Sequence, residues 1–135
     1  MEPINYVKIF NQIVDEFFTE LIEIFPEEPK IKVQYYLFQT LVASNKKKVC
    51  NDFMTNSIPY LEKICMRDES FFKGANKPAF LNSMGFENIW TPELSQITKD
   101  AIWNYIKSFF TIGIKVVTMP EYTIHSIEYI INYSN

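Results

Sequence analysis

Three groups of residues in this chain could do chemistry, and their spacing decides how far each one goes. The first is thiol and imidazole: Cys50, Cys65 and the single His125. A reactive thiol needs a neighbour that favours the thiolate. A zinc site needs clustered ligands, and the chain has no CxxC and one histidine. The second group is paired acids: Glu27-Glu28 between Pro26 and Pro29, and Asp68-Glu69. Acid–base catalysis needs a carboxyl whose pKa is shifted by its surroundings. Neither pair has such a context, and Asp68 reads as a helix cap or turn former. The third group would bind phosphate or attack an acyl carbon. No P-loop, GxGxxG or GxSxG occurs. A Ser–His–Asp set assembles in space rather than in sequence order, yet His125 has no visible relay. No catalytic, cofactor-binding or metal-binding residue is therefore assigned, and the chain reads as non-enzymatic. An enzyme would have to gather His125, a cysteine and an acid in one concave pocket.

Bulk properties narrow the partners. The chain has 135 residues, which suits one domain over 1–135. It is 47% hydrophobic, 16% aromatic and 21% charged, so it has enough apolar surface to build a core. The net charge is −3 and the sequence pI is about 5.2. Phosphate-backbone binding needs clustered cations, and Arg67 is the sole arginine. Nucleic acid is thus a poor partner, and Lys46, Lys47 and Lys48 read as a solvated turn or helix face. Two cysteines make no disulfide framework and read as reduced thiols. Met1-Glu2-Pro3 shows no basic leader. The longest apolar stretch, residues 101–119, holds Asn104, Lys107, Ser108 and Lys115, so no membrane span is expected.

The elements that would position these groups follow from periodicity. Val7, Phe10, Val14, Phe17, Leu21 and Ile24 recur at alternating spacings of three and four, which predicts a core-facing helix over residues 4–25. Pro26 and Pro29 stop it. A second helix is predicted over 30–44 with Val33, Leu37 and Leu41 as its row and Tyr35, Phe38 and Val42 on its other side. A third covers 46–56 with Val49, Cys50, Phe53 and Met54 inward, and a fourth runs from Pro59 to Arg67. Residues 68–90 hold Gly74, Pro78 and Gly85 beside many large apolar groups. They predict short helices or turns packed onto the core. Thr91-Pro92-Glu93 looks like a helix start, and Ser95 offers a second cap. The main C-terminal helix is expected to run to Thr118, with Trp103, Ile106, Phe110, Gly113 and Val117 in one row. The β-branched segment 111–117 leaves a strand as the alternative there. A last helix has Ile124, Ile127, Ile130 and Ile131 inward. The sum is an all-α, compact orthogonal bundle of about five to seven helices.

One set of residues carries a resemblance. These are Pro59-Tyr60, then Arg67-Asp68-Glu69-Ser70-Phe71-Phe72, then Gly85-Phe86-Glu87-Asn88-Ile89-Trp90. Thr98-Lys99-Asp100-Ala101-Ile102-Trp103 and Tyr105-Ile106 follow, and Phe25-Pro26-Glu27 precedes them. In this order they resemble an uncharacterised small protein family of the nucleocytoplasmic large DNA viruses, the giant viruses. A composition rich in Ile, Asn, Lys, Phe and Tyr agrees with an AT-rich source. The resemblance carries over no catalytic residues. It implies a virus-encoded interaction or structural protein, either a virion or assembly component or an adaptor in a viral complex. Its place would be the host cytoplasm (viral factory) or the virion, and its partner a protein or a second copy of itself. The alternative is a host-modulating helical decoy, such as a Bcl-2-like groove protein that binds an amphipathic helix.

Overall fold

The computed structural model describes residues 3–133, so the reading of Met1-Glu2 lies outside the described residues. Among the described residues there are nine α-helices, one 3-10 turn and no strand. α1 spans Tyr6–Ile24, α2 Pro29–Ser44 and α3 Lys48–Ser57. A 3-10 turn, Ile58–Tyr60, leads into α4, Leu61–Cys65. α5 (Ser70–Lys73), α6 (Ala79–Ser83) and α7 (Phe86–Ile89) are short. α8, Gln96–Gly113, and α9, Glu121–Tyr133, complete the chain. The all-α expectation holds. The helices outnumber the five to seven expected because Gly74, Pro78 and Gly85 cut the 68–90 segment into three.

Local chemistry sets the ends. The Asn5 side chain accepts from Lys8 N at 3.0 Å and starts α1. Pro29 occupies the first turn of α2, where its missing donor has no partner to lose. Ser95, not Thr91, caps α8: its hydroxyl accepts from Thr98 N at 3.2 Å. Thr91 instead closes a turn, its carbonyl accepting from Leu94 N at 3.0 Å. α8 ends at Gly113 rather than Thr118, and residues 114–117 form turns. Gly85 at φ 76° sits in the left-handed region and lets the chain turn from α6 into α7.

The buried apolar side chains form one cluster around α8, which packs mainly on α1 and also on α3 and α9. Of the expected α1 stripe, Phe10, Val14, Phe17 and Leu21 are buried, while Ile24 is exposed. α2 differs more. Its expected row is turned outward: Val33 is 56% and Leu37 50% exposed. The buried row is Ile31 and Phe38, with Tyr35 and Val42 beside it. Both rows have helical spacing, so periodicity cannot choose between them. The choice is made by tertiary partners. Tyr35 Oη donates to Asp15 Oδ1 at 2.8 Å, and Phe38 meets the Phe18 ring at 5.5 Å.

Residues 67–72 tie the irregular segment to α8. Phe72 stacks on Trp90 at 4.2 Å and meets Trp103 edge-on at 4.7 Å. Glu69 Oε1 accepts from Trp90 Nε1 at 2.7 Å and from Lys99 Nζ at 2.9 Å. Arg67, just past the Met66 cap of α4, adopts φ 49° and lies over the Trp103 ring at 6.0 Å.

Two outcomes test this packing. A Cβ at Gly113 would overlap Met54 Sδ and press on its Cγ, and Met54 is fully buried. Gly113→Ala should therefore lower stability by about 1–3 kcal/mol in urea unfolding, and an unchanged midpoint would contradict the contact. The second concerns pH. Lys99 first, and then the Trp90 indole, hold the Glu69 carboxyl below its ordinary value of 4.5. A depressed carboxyl stabilises the fold above its unfolded pKa, and the gain fades as pH falls through the folded value. Acidification below about 4.5 should lower the melting temperature and alter tryptophan emission together. Glu69→Gln should flatten both responses; identical acid profiles for variant and parent would contradict the assignment.

Candidate functional site

The groups that could do chemistry are not brought together. His125 lies exposed on α9, 3.8 Å from Glu121 one turn away. Cys50 is buried in α3, and burial pushes its thiol up to about 11. Cys65 is half-buried at the end of α4, and burial raises its thiol too. A raised thiol holds its proton at neutral pH and is a weak nucleophile. Glu28 begins α2 and accepts from Asn88 Nδ2 at 3.1 Å. Asp68 Oδ1 accepts from Ser70 N at 2.9 Å, the turn-forming role expected of it. That bond is the main cause holding the Asp68 carboxyl below its usual range. Among the described residues, no group of three His, Cys, Asp or Glu could hold a metal ion. Lys46, Lys47 and Lys48 are exposed, as a solvated turn requires.

What the fold does build is an apolar cleft of about 320 Å³ between α2 on one side and α3 and α6 on the other. Fourteen of its sixteen lining residues are apolar. α1 gives Phe10, Val14, Phe17 and Phe18, and α8 gives Ile106 and Phe109. α6 contributes Phe80 and Leu81, with Met84 just after it. The deepest wall is fully buried: Phe10, Leu81 and Ile106 are at most 2% exposed. Leu37 and Leu41 of α2 and Val49 of α3 stand nearer the rim. The rings are braced against each other. Phe109 lies 5.6 Å from Phe10, 5.5 Å from Phe17 and 5.3 Å from Phe53. Such ring pairs add about 0.5–1.5 kcal/mol each beyond buried area.

Polar side chains enter the lining at two positions, neither of them buried. Gln34 and Asp52 are the two polar residues of the lining. Asp52 Oδ2 pairs with Lys48 Nζ at 3.1 Å, and both side chains are half exposed. A pair so placed adds little stability. Asp52 is the single titratable side chain of the lining, and it faces no nucleophile. The arrangement can bury an apolar group; it offers no acid–base couple.

A larger hollow, about 880 Å³, lies between α1 and α2. Eight of its eleven lining residues are polar, among them Lys8, Asp15 and Glu16, against two of sixteen in the smaller cleft. Ligand sites are mostly apolar with few polar groups, which favours the smaller cleft. Periodicity missed the cleft because its α2 wall is the row expected in the core. The signal that could have found it is the excess of apolar residues on α2, where more sides are apolar than one core contact can cover.

Outside the cleft, α2 carries a further apolar strip. Val33 and Tyr36, 56% and 69% exposed, flank the half-exposed Leu37 on the same helix. Apolar exposure next to a pocket marks an interaction site more strongly than scattered exposure does. No helix of the described residues is long and apolar enough to cross a membrane. Comparison with protein families, with curated proteins and with solved structures finds no match for the chain.

Proposed function

We propose that the chain is a non-enzymatic interaction domain that takes an apolar side chain of a protein partner into the cleft beside α2. The observation that carries this is the continuity of the apolar cleft with the exposed strip Val33, Tyr36 and Leu37. Partners are anchored by a few large side chains that fill pockets, with a polar rim around them. Gln34, Asp52 and Lys48 supply such a rim. A second copy of the chain is an admissible partner, since Tyr36 and Leu37 are themselves suitable anchors.

The setting rests on the resemblance of residues 58–113 to the giant-virus family. On that basis the chain is virus-encoded and serves as a virion or assembly component or as an adaptor, in the viral factory of the host cytoplasm or in the particle. A second reading, a host-modulating decoy that binds an amphipathic helix, gains support from one feature. The cleft opens over α1 and the central helix α8 and is walled by α2, as a helix-binding groove would be.

The test pairs solution mass with capture from infected cells. The parent chain should self-associate or retain a discrete partner. Leu37→Asp should weaken that association roughly tenfold or more, about 1.4 kcal/mol, while Tyr122→Asp on the distant α9 should leave it intact. Both positions are exposed, so both variants should fold. A strictly monomeric parent that captures nothing would overturn the proposal.

A further inference from the structure

We infer that the same cleft also binds a small neutral amphiphile: an apolar body of on the order of ten carbons with one uncharged polar end. This rests on the cleft being the binding site, and not on the partner being a protein. Size comes first. The cleft measures about 320 Å³. That is roughly twice the ~150 Å³ of an engineered apolar cavity that takes up benzene. The lining sets the polarity of what enters. Fourteen of the sixteen lining residues are apolar, so a charge placed among them would lose its hydration without a partner.

The mouth decides the head group. Its polar side chains are Gln34 and Asp52. Asp52 is paired with Lys48 at 3.1 Å, so the two present no net charge to a ligand. Gln34 carries both donors and an acceptor, which suits a hydroxyl or an amide. A carboxylate head would have to compete with Asp52 for Lys48, and an ammonium head with Lys48 for Asp52. The neutral head avoids both conflicts.

The experiment is a titration of the isolated full chain, observed through its Leu, Val and Met methyl NMR signals, with nonan-1-ol, nonanoate and nonylammonium. The alcohol should shift the methyls of Leu37, Leu41, Val49 and Leu81, and the two charged probes should bind roughly tenfold more weakly or worse. Leu41→Trp, at the half-buried rim, should remove the shifts while helicity and melting temperature hold. Asp52→Asn is the second variant, should Leu41→Trp fail to fold. It frees Lys48, so nonanoate should gain on nonan-1-ol. Absent cleft shifts with the alcohol, equal binding of the charged probes to the parent, or no gain for nonanoate in Asp52→Asn would each overturn the inference. If the probes fail while Leu37→Asp still loses a protein partner, the interaction reading survives and this one does not. Probe binding without any protein partner would give the reverse.

Discussion

The fold turns on the two aromatic faces of α8. Toward one end Trp103 meets Phe71 at 6.0 Å and Phe72 at 4.7 Å, which fixes the irregular segment. Toward the other, Phe109 is held between Phe10, Phe17 and Phe53 from α1 and α3. Short helices such as α5, α6 and α7 are not stable by themselves, because helix formation has a costly nucleus. They exist here because Phe71, Phe72, Leu81, Phe86 and Ile89 are buried in the common apolar core. Truncating one such ring to alanine typically costs about 3–5 kcal/mol, a large part of the stability of a domain this size.

The cleft is a consequence of the same packing. Rings on α1, α3, α6 and α8 support one another, and α2 covers them only in part. Its inward row, Ile31 and Phe38, closes one side of the core, and Leu37 and Leu41 are left at the edge of a space that no other helix fills. Polar anchors reinforce this stance of α2. Tyr35 reaches Asp15 on α1, and Lys30 pairs with Glu87 on α7 at 3.0 Å. The site is therefore placed by tertiary contacts that span the chain, not by a local motif.

This explains which parts of the molecule could be read from residue order. α1 was legible because Phe10, Val14, Phe17 and Leu21 keep one helical spacing and are buried. The break between α1 and α2 was legible from Pro26 and Pro29. Asp68 as a turn former followed from its own short carboxylate chemistry. The orientation of α2 was not legible, since two apolar rows compete and the contacts that go with the buried one, Tyr35 to Asp15 and Phe38 to Phe18, lie on α1. Nor was the end of α8, where the apolar pattern runs past Gly113 although the helix does not. The cleft was invisible for a related reason: residues that line a pocket and residues that fill a core have the same types and the same spacing. Only the side facing them differs.

The central claim is that the chain acts by binding at the cleft beside α2. Site-specific photo-cross-linking tests it most directly, with a photoreactive residue in place of Leu37 on α2 or, separately, of Tyr129 on α9. Both positions are exposed, so neither replacement disturbs the core. The account predicts a discrete cross-linked species from position 37, either a partner protein or a second copy, and none from position 129. Cross-linking from position 129 alone would contradict it.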